Sequence, residues 1–158
     1  MTNLIGEYEC RLDPKGRVQM PVALRDQVGS TSQNRYVLLR GFEECLVLYP
    51  LTVWNELVAE IKNNYDPFDE DHRQFLRYFF RGATEVKLDG TSRLLIPKNL
   101  LDYAGIEKDL VMFAVLDHIE IWRSEAYGKT LSKKPNEVSK LAKEVMGRKK
   151  QQSPDHVS

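Results

Sequence analysis

The stretch from Gly6 to Gly29 is written a second time from Gly82 to Gly105, seventy-six residues further on and without a gap. Gly6, Glu9, Leu12, Asp13, Arg17, Pro21, Leu24, Asp26 and Gly29 meet identical residues at Gly82, Glu85, Leu88, Asp89, Arg93, Pro97, Leu100, Asp102 and Gly105, nine matches in twenty-four positions. Ordinary residue usage gives about one or two. An internal repeat therefore sets the architecture. Each copy, counted to its last expected strand, is only about forty-five residues, too few to bury a core alone, so the two must share one.

Within one copy, Tyr8, Cys10 and Leu12 alternate with Glu7, Glu9 and Arg11, the period of a half-buried strand. Asp13-Pro14-Lys15-Gly16 has the residue preferences of a type I turn, with a carboxylate placed to accept backbone amides two residues on. Val18 and Met20 then mark a return strand. Pro21 reads as the first residue of a helix that ends at Gly29, a glycine suited to a left-handed cap. Further strands are expected near Tyr36–Arg40 and Cys45–Tyr49. The second copy repeats this order through Thr84, Val86 and Leu88, the turn Asp89-Gly90-Thr91-Ser92, Leu94 and Ile96, and a helix after Pro97. Its last strands are expected near Leu110–Val115 and His118–Trp122.

Trp54, Leu57, Val58 and Ile61 fall on one face of a connecting helix, broken between Asn63 and Asp69. A second helix begins near Asp69 and carries the aromatic stripe Phe75, Leu76, Phe79 and Phe80, expected to be core. Val138, Leu141 and Val145 predict a last helix from Asn136 to about Gly147, and Lys149–Ser158 is expected to be a flexible tail.

Net charge is zero, which argues against a strongly basic nucleic-acid binder, but the charge is segregated. Between Asn55 and His72 six acids face the single base Lys62, whereas eight bases between Lys129 and Lys150 face only Glu137 and Glu144. A solvated helix and frayed tail is the plain reading of that basic run.

No phosphate-cradling glycine loop or Gly-x-Ser-x-Gly occurs, and His72, His118 and His156 stand apart from one another and from Cys10 and Cys45. Neither catalysis, a metal, a cofactor nor a small-molecule substrate is expected. Glu9 and Glu85 recur, but they would form a carboxylate pair only if their strands met. The isolated cysteines fit a reducing compartment without a disulfide. No apolar run approaches the ~18 residues that span a bilayer, and no basic-then-apolar segment opens the chain, so the cytosol is the expected location.

The tandem segments Leu12-Asp13-Pro14-Lys15-Gly16-Arg17-Val18 and Phe80-Arg81-Gly82-Ala83-Thr84-Glu85-Val86-Lys87-Leu88-Asp89, the latter followed by Arg93-Leu94-Leu95-Ile96-Pro97, resemble the MraZ transcriptional regulators. The resemblance covers Gly6 to about Trp122, except that the Phe-Arg-Gly-Ala opening stands only before the second copy. It implies an α+β, mainly β fold. Two tandem AbrB-type swapped-hairpin, double-psi-like modules would form a pseudo-dimeric barrel flanked by helices. Their expected limits are 7–54 and 83–126, with a helical connector at 55–82 and a C-terminal helix and basic tail at 127–158.

The resemblance further implies a closed homo-oligomeric ring, associated with the nucleoid, that binds double-stranded DNA at short G-rich direct repeats upstream of the division and cell-wall gene cluster, most simply as an autorepressor. Arg17 and Arg93 become the leading DNA contacts, with Lys15 beside the first and Arg11, Arg25, Arg81 and Lys87 secondary. Asp13 and Asp89 shape the turns. A protein-interaction or antitoxin-like scaffold on the same barrel is the alternative, because fold alone does not fix function.

Overall fold

A computed structural model describes residues 3–30 and 32–152. Its elements run β1 (Leu4–Arg11), β2 (Arg17–Gln19), α1 (Val22–Val28), β3 (Arg35–Arg40), β4 (Leu46–Pro50), α2 (Leu51–Asn64), α3 (Glu70–Phe80), β5 (Thr84–Lys87), β6 (Arg93–Leu95), α4 (Lys98–Ala104), β7 (Asp109–Leu116), β8 (His118–Arg123), α5 (Ser124–Thr130) and α6 (Pro135–Gln152). The fold is α+β. Residues up to Ala126 form one compact unit and those from Tyr127 a second.

Strand pairing in the first unit joins the two copies: only β3 with β4 and β7 with β8 pair within a copy, and every other pair runs between them. A six-stranded antiparallel sheet has the order β1-β7-β8-β4-β3-β5, and a separate two-stranded ribbon joins β2 to β6. The first strand of each copy thus pairs with the third strand of the other: Tyr8 lies opposite Met112 and Val86 opposite Tyr36. Reciprocal bonds extend the exchange. Met20 donates its amide to the Ser92 carbonyl at 2.9 Å, and Ile96 donates to the Gly16 carbonyl at 2.9 Å, two bonds related by the repeat offset.

The exchange follows from burial. Val18, Met20, Leu24, Leu38, Leu46 and Leu48 of the first copy join Leu94, Ile96, Leu100, Met112, Ile119 and Ile121 of the second in one cluster. Fully burying each such side chain is worth about 1.5–3 kcal/mol, and neither copy alone could enclose its share.

Pro21 and Pro97 stand one residue ahead of their helices, not inside them. Each is extended, with ψ of 132° and 144°, and each carbonyl accepts the first helical amides, from Leu24 and Arg25 and from Leu100 and Leu101. At the other end Gly105 takes the left-handed cap, with φ 66° and ψ 26°, whereas Gly29 has φ 72° with ψ −165°, a region open essentially to glycine alone.

Two further expectations need correcting. The aromatic stripe on α3 is not core: no residue of that helix is buried, and Phe75 is 44% exposed. Its rings stack instead on one another and on α2, with Phe79 at 5.4 Å from Phe75 and 6.0 Å from Trp54. The sheet is already covered by α1, α4 and α2, whose Leu24, Leu100 and Val53 are buried, so α3 packs its rings on α2 and on loop residues such as Phe42 and touches the sheet at β3. Secondly, the last helix does not stop at Gly147 but continues to Gln152, so the first four residues of the expected tail are helical. One internal glycine costs about 1 kcal/mol, which the following Lys and Gln residues, good helix formers, tolerate. Ser153–Ser158, with His156, lie outside the described residues. The short helix α5 adds to the expected elements.

Cys10 and Cys45 are free. Burial pushes their thiols up to about 11 and about 12, so neither is a nucleophile at neutral pH. Glu9 and Glu85 sit on β1 and β5, at opposite ends of the sheet order, and Glu85 pairs with Arg35 instead. Among the described residues no cluster of three or more His, Cys, Asp or Glu is placed to hold a metal, and no helix is long and apolar enough to cross a membrane.

Candidate nucleic-acid interface

One carboxylate builds each repeated turn. Asp13 Oδ1 accepts the amides of Lys15 and Arg17, both at 2.9 Å, while Oδ2 accepts Arg17 Nε at 2.8 Å. The Gly16 amide donates to the Asp13 carbonyl at 3.0 Å and the Asp13 amide to the Arg17 carbonyl at 2.8 Å. This is a type I turn followed by a left-handed residue, Gly16 at φ 84°, which forms the bulge of a three-residue hairpin loop. The Asp-x-x-x-Arg spacing follows: only a side chain at the turn's first position reaches both the amide and the guanidinium four residues on.

The second turn copies these bonds. Asp89 Oδ1 accepts the amides of Thr91 and Arg93 at 2.9 Å, and Oδ2 accepts Arg93 Nε at 2.9 Å. Ser92 takes the place of Gly16, with φ 63°. The left-handed conformation costs a side-chain-bearing residue about 1–2 kcal/mol. At Gly16 an added Cβ would meet nothing closer than the Ile96 carbonyl at 3.4 Å, so the expected cost of Gly16→Ala is that backbone term, read as a lower urea midpoint at unchanged slope.

The same bonds hold both carboxyls low. The Arg17 amide is the largest cause at Asp13; at Asp89 the Arg93 amide is the largest, and together with the Thr91 amide and hydroxyl and the Arg93 guanidinium it brings the carboxyl from 3.8 to about 2. A group depressed on folding contributes stability that is complete above its unfolded value and is lost as the pH falls through the folded one. Wild-type stability should therefore decline between about pH 4 and pH 2, the window set by those two values. Asp89→Asn, which keeps the turn acceptor but does not titrate, should flatten that decline in urea titrations across the same window; an unchanged profile would rule out the assignment.

Strand pairing then brings the two turns' arginines together. In the ribbon Arg17 lies opposite Leu95, Val18 opposite Leu94, and Gln19 opposite Arg93. Val18 and Leu94 are buried, so their neighbours Arg17, Gln19, Arg93 and Leu95 share the other face, with Arg17 and Arg93 on a diagonal. Their side chains are 27% and 34% exposed. Each guanidinium is held through Nε, and the terminal amino groups have no protein hydrogen bond among the described residues. The aspartates orient the arginines and leave the fork free.

Lys15 is exposed at the first turn and shares a concavity with Leu95 and Lys98. Arg11 on β1, Lys87 on β5 and Arg81 after α3 are exposed but lie off the ribbon. Arg25 has a supporting place: its Nη1 donates to Ser92 Oγ at 2.7 Å, and Gln19 Nε2 donates to the Thr91 carbonyl at 2.8 Å, so the first copy latches the second copy's turn. Sequence reasoning missed Gln19, Leu95 and Lys98. Gln19 was findable, since it shares strand parity with Arg17. Leu95 was hidden by its aliphatic character, and Lys98 by its position after Pro97.

This geometry defines a tandem-repeat protein in which two copies of a turn-bearing unit exchange strands and present their repeated arginines on one ribbon. The chain belongs to the MraZ protein family, whose description also likens it to antitoxins: the family model matches residues 4–78 and again 79–149, once per copy. It is 41% identical to the transcriptional regulator MraZ of Christiangramia forsetii over 93% of this chain and 95% of that protein. Identity to the protein of the same name from Flavobacterium psychrophilum is 38%, over 93% and 94% of the two chains. For the one from Clostridium beijerinckii it is 46%, over 78% and 83%.

Proposed function

We propose that this chain is a sequence-specific DNA-binding transcriptional regulator, cytoplasmic and nucleoid-associated, that reads short G-rich direct repeats upstream of the division and cell-wall gene cluster and represses its own expression. The observation that carries the reading is the convergence of Arg17 and Arg93 on one face of a two-stranded ribbon flanked by two turns. A two-stranded ribbon fits the major groove, and an arginine fork matches the O6 and N7 acceptors of guanine. The name carried by the matched relatives agrees with it.

On this reading Arg17 and Arg93 contact bases, and Lys15 neutralises a phosphate. Arg11, Arg81 and Lys87 are peripheral contacts, while Asp13 and Asp89 serve the turn. The two copies close as the swapped-hairpin barrel of AbrB-type modules, with module limits 7–54 and 83–126 around the connector 55–82, and with 127–158 as a C-terminal helix and basic tail. Zero net charge is compatible with binding because a closed ring presents the same ribbon many times: each subunit adds a weak contact, and a repeat spacing that matches the subunit spacing multiplies them.

Gel shifts with G-rich direct repeats and with a scrambled duplex, at two salt concentrations, test the reading. Preference for the repeats supports it, and equal affinity for both duplexes overturns it. Lys15→Ala is expected to weaken both complexes alike and to reduce the salt slope by about 0.9 per bound subunit, the signature of one lost phosphate contact. The family's antitoxin-like description favours a second reading, a protein-interaction scaffold. That reading gains if Arg17→Ala binds DNA as the wild type does.

A further inference from the structure

Arg40, at the end of β3, is half-buried, and its guanidinium carbon stands 4.9 Å from the centre of the Tyr103 ring. Its Nε is enclosed and makes no hydrogen bond. The other half-buried arginines of the described residues are satisfied: Arg17, Arg25, Arg35, Arg93 and Arg123 each reach a carboxylate, and Arg73 donates to the Pro67 carbonyl. A buried charge is costly unless an opposite charge meets it, and the stack on Tyr103 holds this one in place without neutralising it.

A second donor faces the same spot. The point a Cβ would occupy on Gly82 lies 3.6 Å from Arg40 Nε and 3.9 Å from Asn99 Nδ2, and the φ of 76° there favours glycine, which keeps the place free of a side chain. Neither Asn99 nor the exposed Arg81 beside that glycine has a hydrogen-bond or ion-pair partner among the described residues.

The other copy shows that the fold does not demand this arrangement. There Ile5 stands for Arg81, Gly6 for Gly82, Ala23 for Asn99 and Gln27 for Tyr103, and Ala114 lies opposite Gly6. Gln27 donates to the Ile5 carbonyl at 3.0 Å and accepts the Ile5 amide at 2.9 Å, so neutral groups close the place.

We propose that Arg40, Asn99 and Arg81 bind a phosphate oxyanion, one per chain. Two arginines that no carboxylate neutralises suit a dianion, and a guanidinium fork matches its paired oxygens. The oxyanion comes from a DNA backbone, since Asn99 follows Lys98 at the concavity shared with Lys15, or from a free phosphoryl compound.

Urea titrations of the full chain at one protein concentration, without DNA, test the site with inorganic phosphate against chloride at equal ionic strength. About 50 mM phosphate should shift the wild-type folding equilibrium at least fivefold further than that of Arg40→Met, which keeps the stem on Tyr103, or of Asn99→Asp, which supplies an internal carboxylate. In chloride both variants should be as stable as the wild type. Equal phosphate responses in all three proteins would overturn the proposal, as would an Arg40→Met loss of stability that is the same in both salts, the mark of a stack that is only structural. Binding to a scrambled duplex then assigns the source: a salt slope reduced by about 0.9 per bound subunit in Arg40→Met marks a DNA phosphate, and an unchanged slope a free phosphoryl compound. The DNA-free titration stands whether or not the ribbon reads bases.

Discussion

Arg17→Ala should lower affinity for the G-rich repeats by at least tenfold while leaving affinity for a scrambled duplex within about twofold. The expectation comes from the geometry of the guanidinium: Asp13 holds it by Nε at 2.8 Å, and its two terminal amino groups carry no protein hydrogen bond among the described residues. A bidentate match to guanine discriminates by about 1–3 kcal/mol, and in a multivalent complex the loss recurs at every engaged subunit. Arg17→Lys keeps the charge but cannot reproduce the fork, so it should resemble alanine on the repeats and the wild type on scrambled DNA. Arg17→Ala with Arg93→Ala should remove the preference altogether. Because the Asp13–Arg17 pair is only part-buried and Asp13 keeps the backbone amides of Lys15 and of residue 17, the single variant should melt close to the wild type. Retained preference in a folded double variant would disprove the ribbon as the reading surface.

The second large effect concerns the shared core. Leu94→Ala should cost about 2–5 kcal/mol, the range for a fully buried leucine whose neighbours close only partly over the cavity. More telling is the form of the transition. Leu94 sits in the second copy opposite Val18 of the first, and both belong to the single cluster that the copies build together. Unfolding followed by tryptophan fluorescence and by backbone dichroism should therefore stay coincident and shift together. The tryptophans sample both halves, Trp54 on α2 and Trp122 on β8. Two separated transitions, with only the second displaced, would mean that each copy holds its own core.

Features governed by a few neighbouring residues were legible in advance. Asp13 and Asp89 announced the turns because an aspartate at the first turn position bonds amides two and four residues on whatever the rest of the chain does. Gly29 and Gly105 announced positive φ, and Pro21 and Pro97 the helix starts to within one residue. The α3 stripe was misread for the converse reason. Its spacing says that one face is apolar, but whether that face is covered depends on whether other elements have already taken the sheet, and α1, α4 and α2 had.

The chain by itself determined the repeat, the Asp-x-x-x-Arg turns and the strand and helix order within each copy, because these rest on backbone preferences that act over about five residues. Only the tertiary structure decided that β1 pairs with β7 and β5 with β3, and that Arg17 and Arg93, seventy-six positions apart, share one ribbon with Gln19 and Leu95. Such pairings are chosen by which arrangement buries the most apolar surface for the whole unit, and local sequence does not carry that quantity.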